Sequence, residues 1–290
     1  MNQLSTERKG EASLFLGAII WSFFPIITLL SYAGLEPITS LAWSTLISFI
    51  LFTALSVIRK SWVNIFKKEI LLPILGVAAI HGILVYFLFF IGLQYTTAGN
   101  AAVVSTLEIL FSYLFFHVFR KEHIDFSHRV GIILMSLSAL VILSPNFESL
   151  QKGDLLILLA MAISPLGNLF QKRLRSKINT EQILFYRALI ASFFLFGAAY
   201  LFGEKVVIPT LEIWPILIIS GILLFGLQKI LWVEGIHRVG VTKAVSITSI
   251  SPIFTLIFAY FILGDVPTTI QLISVPLAVI GILFLTRNNA

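Results

Sequence analysis

Cysteine is absent from the 290-residue chain, so a disulfide framework, a thiolate metal site and a cysteine nucleophile are all excluded. Charge is scarce as well. Charged residues make up 12% of the chain, about half the share of a soluble domain. The short nucleotide and hydrolase motifs are missing too: there is no G-x-x-x-x-G-K-[ST] loop, no H-E-x-x-H helix and no G-x-S-x-G elbow. Intramembrane aspartyl proteolysis needs two aspartates at depth, whereas Asp125, Asp154 and Asp265 fall in loops or at helix ends. His117, His123 and His128 lack the spacing of a paired-histidine metal helix, so neither a metal nor a cofactor is expected. The sequence does not read as an enzyme.

What is abundant is apolar surface. Hydrophobic residues reach 58%, with 26 phenylalanines, more than one soluble core can hide. A bilayer core about 30 Å thick takes roughly 20 helical residues to cross. Such segments occur at 12–32, 37–58, 71–93, 98–119, 128–145, 154–171, 180–202, 213–235, 241–263 and 268–286. The polar start, MNQLSTERKGEAS, precedes an apolar run too long for an ordinary cleaved signal, so the first span is read as retained.

Ten spans sort the cations. With the connections assigned alternately to two sides, sixteen Lys and Arg fall on the side of the N-terminus, from Arg8 to Arg287, and only Lys152 and Lys205 on the other. Cations in short loops stay cytoplasmic, which predicts a multi-pass protein of the cell (inner) membrane with both termini inside. The net charge of +6 therefore marks topology rather than a nucleic-acid face.

The chain also matches itself at an offset of 143 residues. GLQYTTAGNAAVVSTLEILFSYLFFHVFRKE (92–122) lies over GIHRVGVTKAVSITSISPIFTLIFAYFILGD (235–265) without a gap. Gly92 falls on Gly235, Ala101 on Ala244, Phe111 on Phe254 and Glu122 on Asp265. Five spans per half is an odd number, so the second half, 149–290, enters the membrane inverted relative to the first, 1–148. Inverted repeats of this kind build transporters that handle solute near the midplane between the halves. Pro25 and Pro165, in the first span of each half, are candidate kinks or hinges, because proline removes a backbone hydrogen bond.

These repeat blocks resemble the EamA domain of the drug/metabolite transporter superfamily, ten helices in two inverted five-helix repeats. SISPIFTLIFAYFILGD is similar to its Ser–Pro helix ending in Gly–acid, LGAIIWS (16–22) to its first-helix Trp motif, and ILFYRALIASFFL to its Arg-bearing helix. Where the family often has Glu–Pro, this chain has Glu108–Ile109, and Ser44 or a neighbour stands in the place of the Arg that the second half keeps as Arg187. The resemblance implies an all-α membrane fold and a secondary transporter of metabolites or drugs.

Glu108 is the sharpest single feature. An ionised carboxylate at mid-bilayer costs roughly 2.5–3.5 kcal/mol on insertion scales. Ala101, Ser105, Glu108 and Ser112 share one helix face, and their repeat mates Ala244, Thr248, Ser251 and Thr255 are again small or hydroxylated. Glu108 reads as a substrate- or proton-carrying group, as a counter-ion to a buried cation, or as a hydrogen-bonding plug. Lys229 and Arg187 are the candidate cations, either of them able to snorkel to the headgroups. Trp21, Tyr86 and Trp232 are candidate wall residues. His81, the one histidine at depth, is a coupling candidate or a hydrogen-bonded core residue.

The favoured function at this stage is alternating-access transport of a small polar or amphipathic metabolite, amino-acid-like by its chemistry, with protons as a possible coupling ion. A multidrug or nucleotide-sugar transporter of the same fold is the nearest alternative. The protein is expected to work in the lipid bilayer as a monomer or homodimer, and a non-transporting structural or receptor-like membrane protein is the alternative from another class.

Overall fold

The structure is a computed structural model that describes residues 3–60, 67–120, 126–143, 152–239, 241–248 and 250–286. Every element in it is helical: α1 (Gln3–Trp21), α2 (Phe24–Ser31), α3 (Pro37–Ile58), α4 (Lys68–Val77), α5 (Val85–Leu93), α6 (Ala98–Ser105), α7 (Glu108–Arg120), α8 (Phe126–Leu143), α9 (Lys152–Arg175), α10 (Thr180–Leu201), α11 (Trp214–Ile218), α12 (Gln228–Val239), α13 (Val241–Thr248), α14 (Ser251–Leu263) and α15 (Thr269–Thr286). Two π-helical segments, Ala78–Leu84 and Ile219–Leu227, join α4 to α5 and α11 to α12.

Eight continuous or nearly continuous stretches are long and apolar enough to cross a membrane. The apolar helices α8 and α15 complete the ten-helix arrangement. Phe193 and Leu201 of α10, Phe261 of α14 and Leu283 of α15 are all strongly exposed, as suits contact with lipid tails rather than water.

The 143-residue offset seen in the sequence holds for the backbone. It carries α3 onto α10, α6 onto α13, α7 onto α14 and α8 onto α15, residue for residue at both ends. These mates also pair in space: α3 packs on α10 and α8 on α15, while α1 crosses α12 as α9 crosses α5. The chain is thus two inverted five-helix repeats wrapped around a common axis.

Glycine makes the second kind of crossing possible. A Cβ on Gly92 would lie 2.8 Å from the Gly153 carbonyl oxygen, and one on its mate Gly235 would lie 2.4 Å from Leu14 Cδ2. The matching glycines are therefore close-approach points of α5 on α9 and of α12 on α1.

Interruptions fall elsewhere than the prolines suggested. The first span does break, at Ser22–Phe23, with Pro25 in the opening turn of α2, a position where proline's missing N–H costs nothing. Pro165 lies inside α9, which runs unbroken for 24 residues, so the predicted interruption of the sixth span is absent. The symmetric breaks are instead the π segments and the turns at Thr106–Leu107 and around Ile250. At the first turn the Ser105 hydroxyl donates to the Ala101 carbonyl and the Thr106 hydroxyl to that of Val103, serving carbonyls that a continuous helix would use. Thr248 does the same for Ala244 and Val245.

The ion pairs gather at one end. Arg59–Glu181, Lys177–Glu69, Arg175–Glu234 and Lys243–Glu11 all join segments on the cation-rich side. At the opposite end, Glu204 accepts from the backbone N–H groups of Ile38 and Thr39, an anion at the positive end of α3.

Candidate functional site

The first π segment and the turns at Thr106–Leu107 and around Ile250 border a cavity of about 80 Å³ lined by residues of both repeats. Glu108 opens α7 and Ser251 opens α14, and both line it. Ser105 and Thr248 line it from the ends of α6 and α13. Ends of broken helices thus border one space, as the discontinuous helices of transporters do at mid-depth.

One wall is a hydrogen-bond network centred on Glu108. Its Oε1 accepts from Ser164 Oγ at 2.7 Å and from Asn168 Nδ2 at 2.6 Å. Trp232 Nε1, which can only donate, gives its proton to Asn168 Oδ1 at 3.1 Å; this fixes the amide's orientation. Since Ser164 spends its single proton on Glu108, His81 Nε2 at 2.9 Å is the donor to Ser164 Oγ, which places the imidazole proton on Nε2. Two chains of donors therefore end on one carboxylate oxygen.

The other wall is aromatic and cationic. Lys229 Nζ sits 3.8 Å from the Trp21 ring centroid and 5.1 Å from that of Tyr86. Such contacts are worth about 2 kcal/mol or more once desolvated. Trp21 stacks on Phe24 at 4.0 Å, and Tyr86 stands edge-on to Phe225 at 4.9 Å, so the rings are held in place. Among the described residues Lys229 makes no ion pair and no hydrogen bond, and its ammonium faces the cavity.

The structure brings together Trp21, His81, Tyr86, Ser105, Glu108, Lys229, Trp232, Thr248 and Ser251 around this cavity. Ser112 is not among them. It lies on α7 one turn beyond Glu108, fully buried where α7 packs against α9 and α13. Neither buried cation snorkels: Lys229 is 6% exposed and Arg187 2%. Arg187 Nη2 reaches toward the Phe225 carbonyl in the second π segment at 3.5 Å, and Arg187 stands outside the cavity lining. Glu108 makes no salt bridge with either cation among the described residues. The side chains of His117, His123 and His128, and the loop acid Glu122, lie outside the described residues.

Sequence reasoning missed Ser164, Asn168 and Gln171 as lining residues. Their spacing of four and three puts them on one face of α9, and three polar residues at that period in an apolar span was the available signal.

Comparison with known proteins agrees with the architecture. The EamA-like transporter family model matches twice, over residues 8–144 and 151–287. An uncharacterized transporter of Methanothermobacter thermautotrophicus is 23% identical, over 97% of this chain and 87% of its own length. The uncharacterized transporters YdfC and YyaM of Bacillus subtilis (strain 168) are 26% and 22% identical, over 94% and 86% of this chain and 88% and 84% of their own lengths. A solved crystal structure superposes with a TM-score of 0.74 over 96% of this chain and 97% of its own, at 18% identity, which speaks for the fold alone. With two family matches spanning both repeats of a ten-helix membrane fold, the chain belongs to the EamA-like transporter family.

Proposed function

We propose that this transporter moves a small zwitterionic metabolite, amino-acid-like in its chemistry, by alternating access through the central cavity. The observation that carries the reading is Lys229, which lines the cavity with no salt bridge among the described residues, in a cavity shared with a carboxylate that has one oxygen already engaged. A solute carboxylate satisfies the first group, and a solute ammonium approaches the second. Trp21, Tyr86 and Trp232 supply apolar walls, and Ser105, Thr248 and Ser251 supply hydroxyls.

A volume of about 80 Å³ is well below the roughly 300 Å³ of the smallest drug pockets. The repeats must part to admit a solute, and the breaks in the spans that line the cavity supply places to bend. Pro25, at the break in the first span, is a hinge candidate; Pro165 is a weaker one, because its helix is continuous. The sixteen-to-two distribution of cations supports insertion in the cytoplasmic membrane with both termini inside. Glu108 and His81 remain candidates for proton coupling, being joined through Ser164.

The test is counterflow in proteoliposomes. Vesicles loaded with an unlabelled amino acid should take up the same labelled amino acid transiently above equilibrium. Absence of counterflow across zwitterions, with transport of an organic cation instead, would overturn the reading in favour of a multidrug carrier.

A further inference from the structure

The repeat offset maps Asp154 onto Glu11 and Asn100 onto Lys243. At the cation-rich end the pair is ionic: Lys243 Nζ lies 2.6 Å from Glu11 and 2.6 Å from Glu7. At the opposite end the acid is present but the cation has been replaced by an amide. Asp154 is 1% exposed. Its Oδ1 accepts from the Thr96 hydroxyl at 2.5 Å, and Asn100 is a neighbour of the same carboxyl. Asn100 is oriented in turn by Gln271, whose Nε2 donates to its Oδ1 at 2.7 Å. The other carboxyl oxygen, Oδ2, has no partner.

We propose that Asp154 is a proton-binding site that gates this end of the transporter, so that closure requires uptake of one proton. An ionised carboxylate shut away from water, with one oxygen unsatisfied and no cation beside it, costs several kcal/mol. In the mirror position Glu11 is part-exposed and paired with Lys243; here the first turn of α9 offsets part of the cost, and a proton removes the rest. When α9 and α6 separate, water reaches the carboxyl and the proton leaves to the same side. Acid in the bath on that side therefore favours the closed end, and base the open one.

Among the described residues the surrounding elements offer no competing charge. Neither α5, α6 nor the 94–97 connection contains a Lys, Arg, His, Asp or Glu, and their ionisable side chains are Tyr86, in the cavity, and the exposed Tyr95. On α9 itself Lys152 is exposed and makes no ion pair with Asp154 among the described residues. Glu108 of α7 meets α9 only at Ser164 and Asn168, some three turns deeper. The close seal is backbone on backbone: a Cβ on Gly153 would lie 2.3 Å from the Gly92 carbonyl oxygen.

The absence of cysteine makes the test direct. Ile157, fully buried and one turn below Asp154, is changed to Cys, and its labelling by a membrane-impermeant maleimide is followed against pH in proteoliposomes. Rates are normalised to Gln94→Cys, an exposed position at the same end, which removes the thiolate's own pH dependence. The normalised rate should rise about tenfold or more between about pH 5 and about pH 8. Asp154→Asn should label slowly and independently of pH. Asn100→Lys, which restores the ion pair of the mirror site, should do the same. A flat normalised rate in the Ile157→Cys protein, or a rise that survives Asp154→Asn, would overturn the proposal. If Asn100→Lys does not fold, Asp154→Asn decides alone. The readout uses no substrate, so its failure leaves the transport reading standing.

Discussion

Asn168 is clamped between Glu108 and Trp232, donating to the first at 2.6 Å and accepting from the second at 3.1 Å. Because the indole can only donate, the amide cannot flip without losing both bonds. The clamp ties α9, α7 and α12 together across the two repeats, and it fixes which oxygen of Glu108 is engaged.

Asn168→Leu should therefore lower stability by about 1–3 kcal/mol, the usual penalty for leaving buried polar partners unmet. It should also weaken ligand binding. Asn168→Asp keeps an acceptor for Trp232 but sets a second carboxyl against Glu108, so it should impair binding at neutral pH and recover in acid. Thermal unfolding in detergent, with and without ligand, checks both. Equal stability of Asn168→Leu and wild type would show that the clamp carries no energy.

Lys229→Met should behave in the opposite way for stability. Removing a buried cation that lacks an ion-pair partner relieves desolvation, so the melting temperature should hold or rise. Affinity for a carboxylate-bearing solute should fall tenfold or more, about 1.4 kcal/mol. A marked loss of stability would mean that the contacts to Trp21 and Tyr86 hold the fold rather than prepare the site.

The two matched glycines should differ. Gly92→Ala meets a backbone oxygen of Gly153, which cannot move aside, whereas Gly235→Ala meets the flexible end of Leu14. Overpacking costs typically about 1–3 kcal/mol, and the larger share should fall on Gly92→Ala. Unfolding midpoints of the two variants settle the order.

These glycines were legible in the sequence, because a coincidence of Gly at a fixed offset marks a repeated close approach. So were the ten-helix fold and the inversion, since hydropathy, charge and spacing record them directly. The helix breaks were not. A turn at Thr106–Leu107 changes backbone hydrogen bonding without changing side-chain polarity, and the hydroxyls of Ser105 and Thr106 that bond to carbonyls one turn back look like any polar residues on a helix. The π segments leave no mark in composition either. Pro165 misled because a missing hydrogen bond need not break a helix that neighbours pack on both sides. Arg187 looked able to snorkel because sequence gives depth along a helix but not which neighbours enclose it.

At the cation-rich end, Lys243→Gln should change stability by less than about 1 kcal/mol. Its partners Glu7 and Glu11 are partly exposed, as is Lys243 itself at 45%, and exposed ion pairs contribute little to folding. A loss of several kcal/mol on denaturant unfolding would show that this end is held by the charges rather than by the packing of α1 on α12 and α13.

The most direct test of the site is a ligand-stabilisation panel on purified protein, pairing each zwitterion with the amine that lacks its carboxylate. A binder at a hundred times its dissociation constant stabilises the folded state by about 2.7 kcal/mol. The account predicts that at least one zwitterion raises the melting temperature, that its decarboxylated partner does not, and that the effect disappears in Lys229→Met. Equal stabilisation by amine and zwitterion, or a zwitterion effect that persists in Lys229→Met, would contradict it.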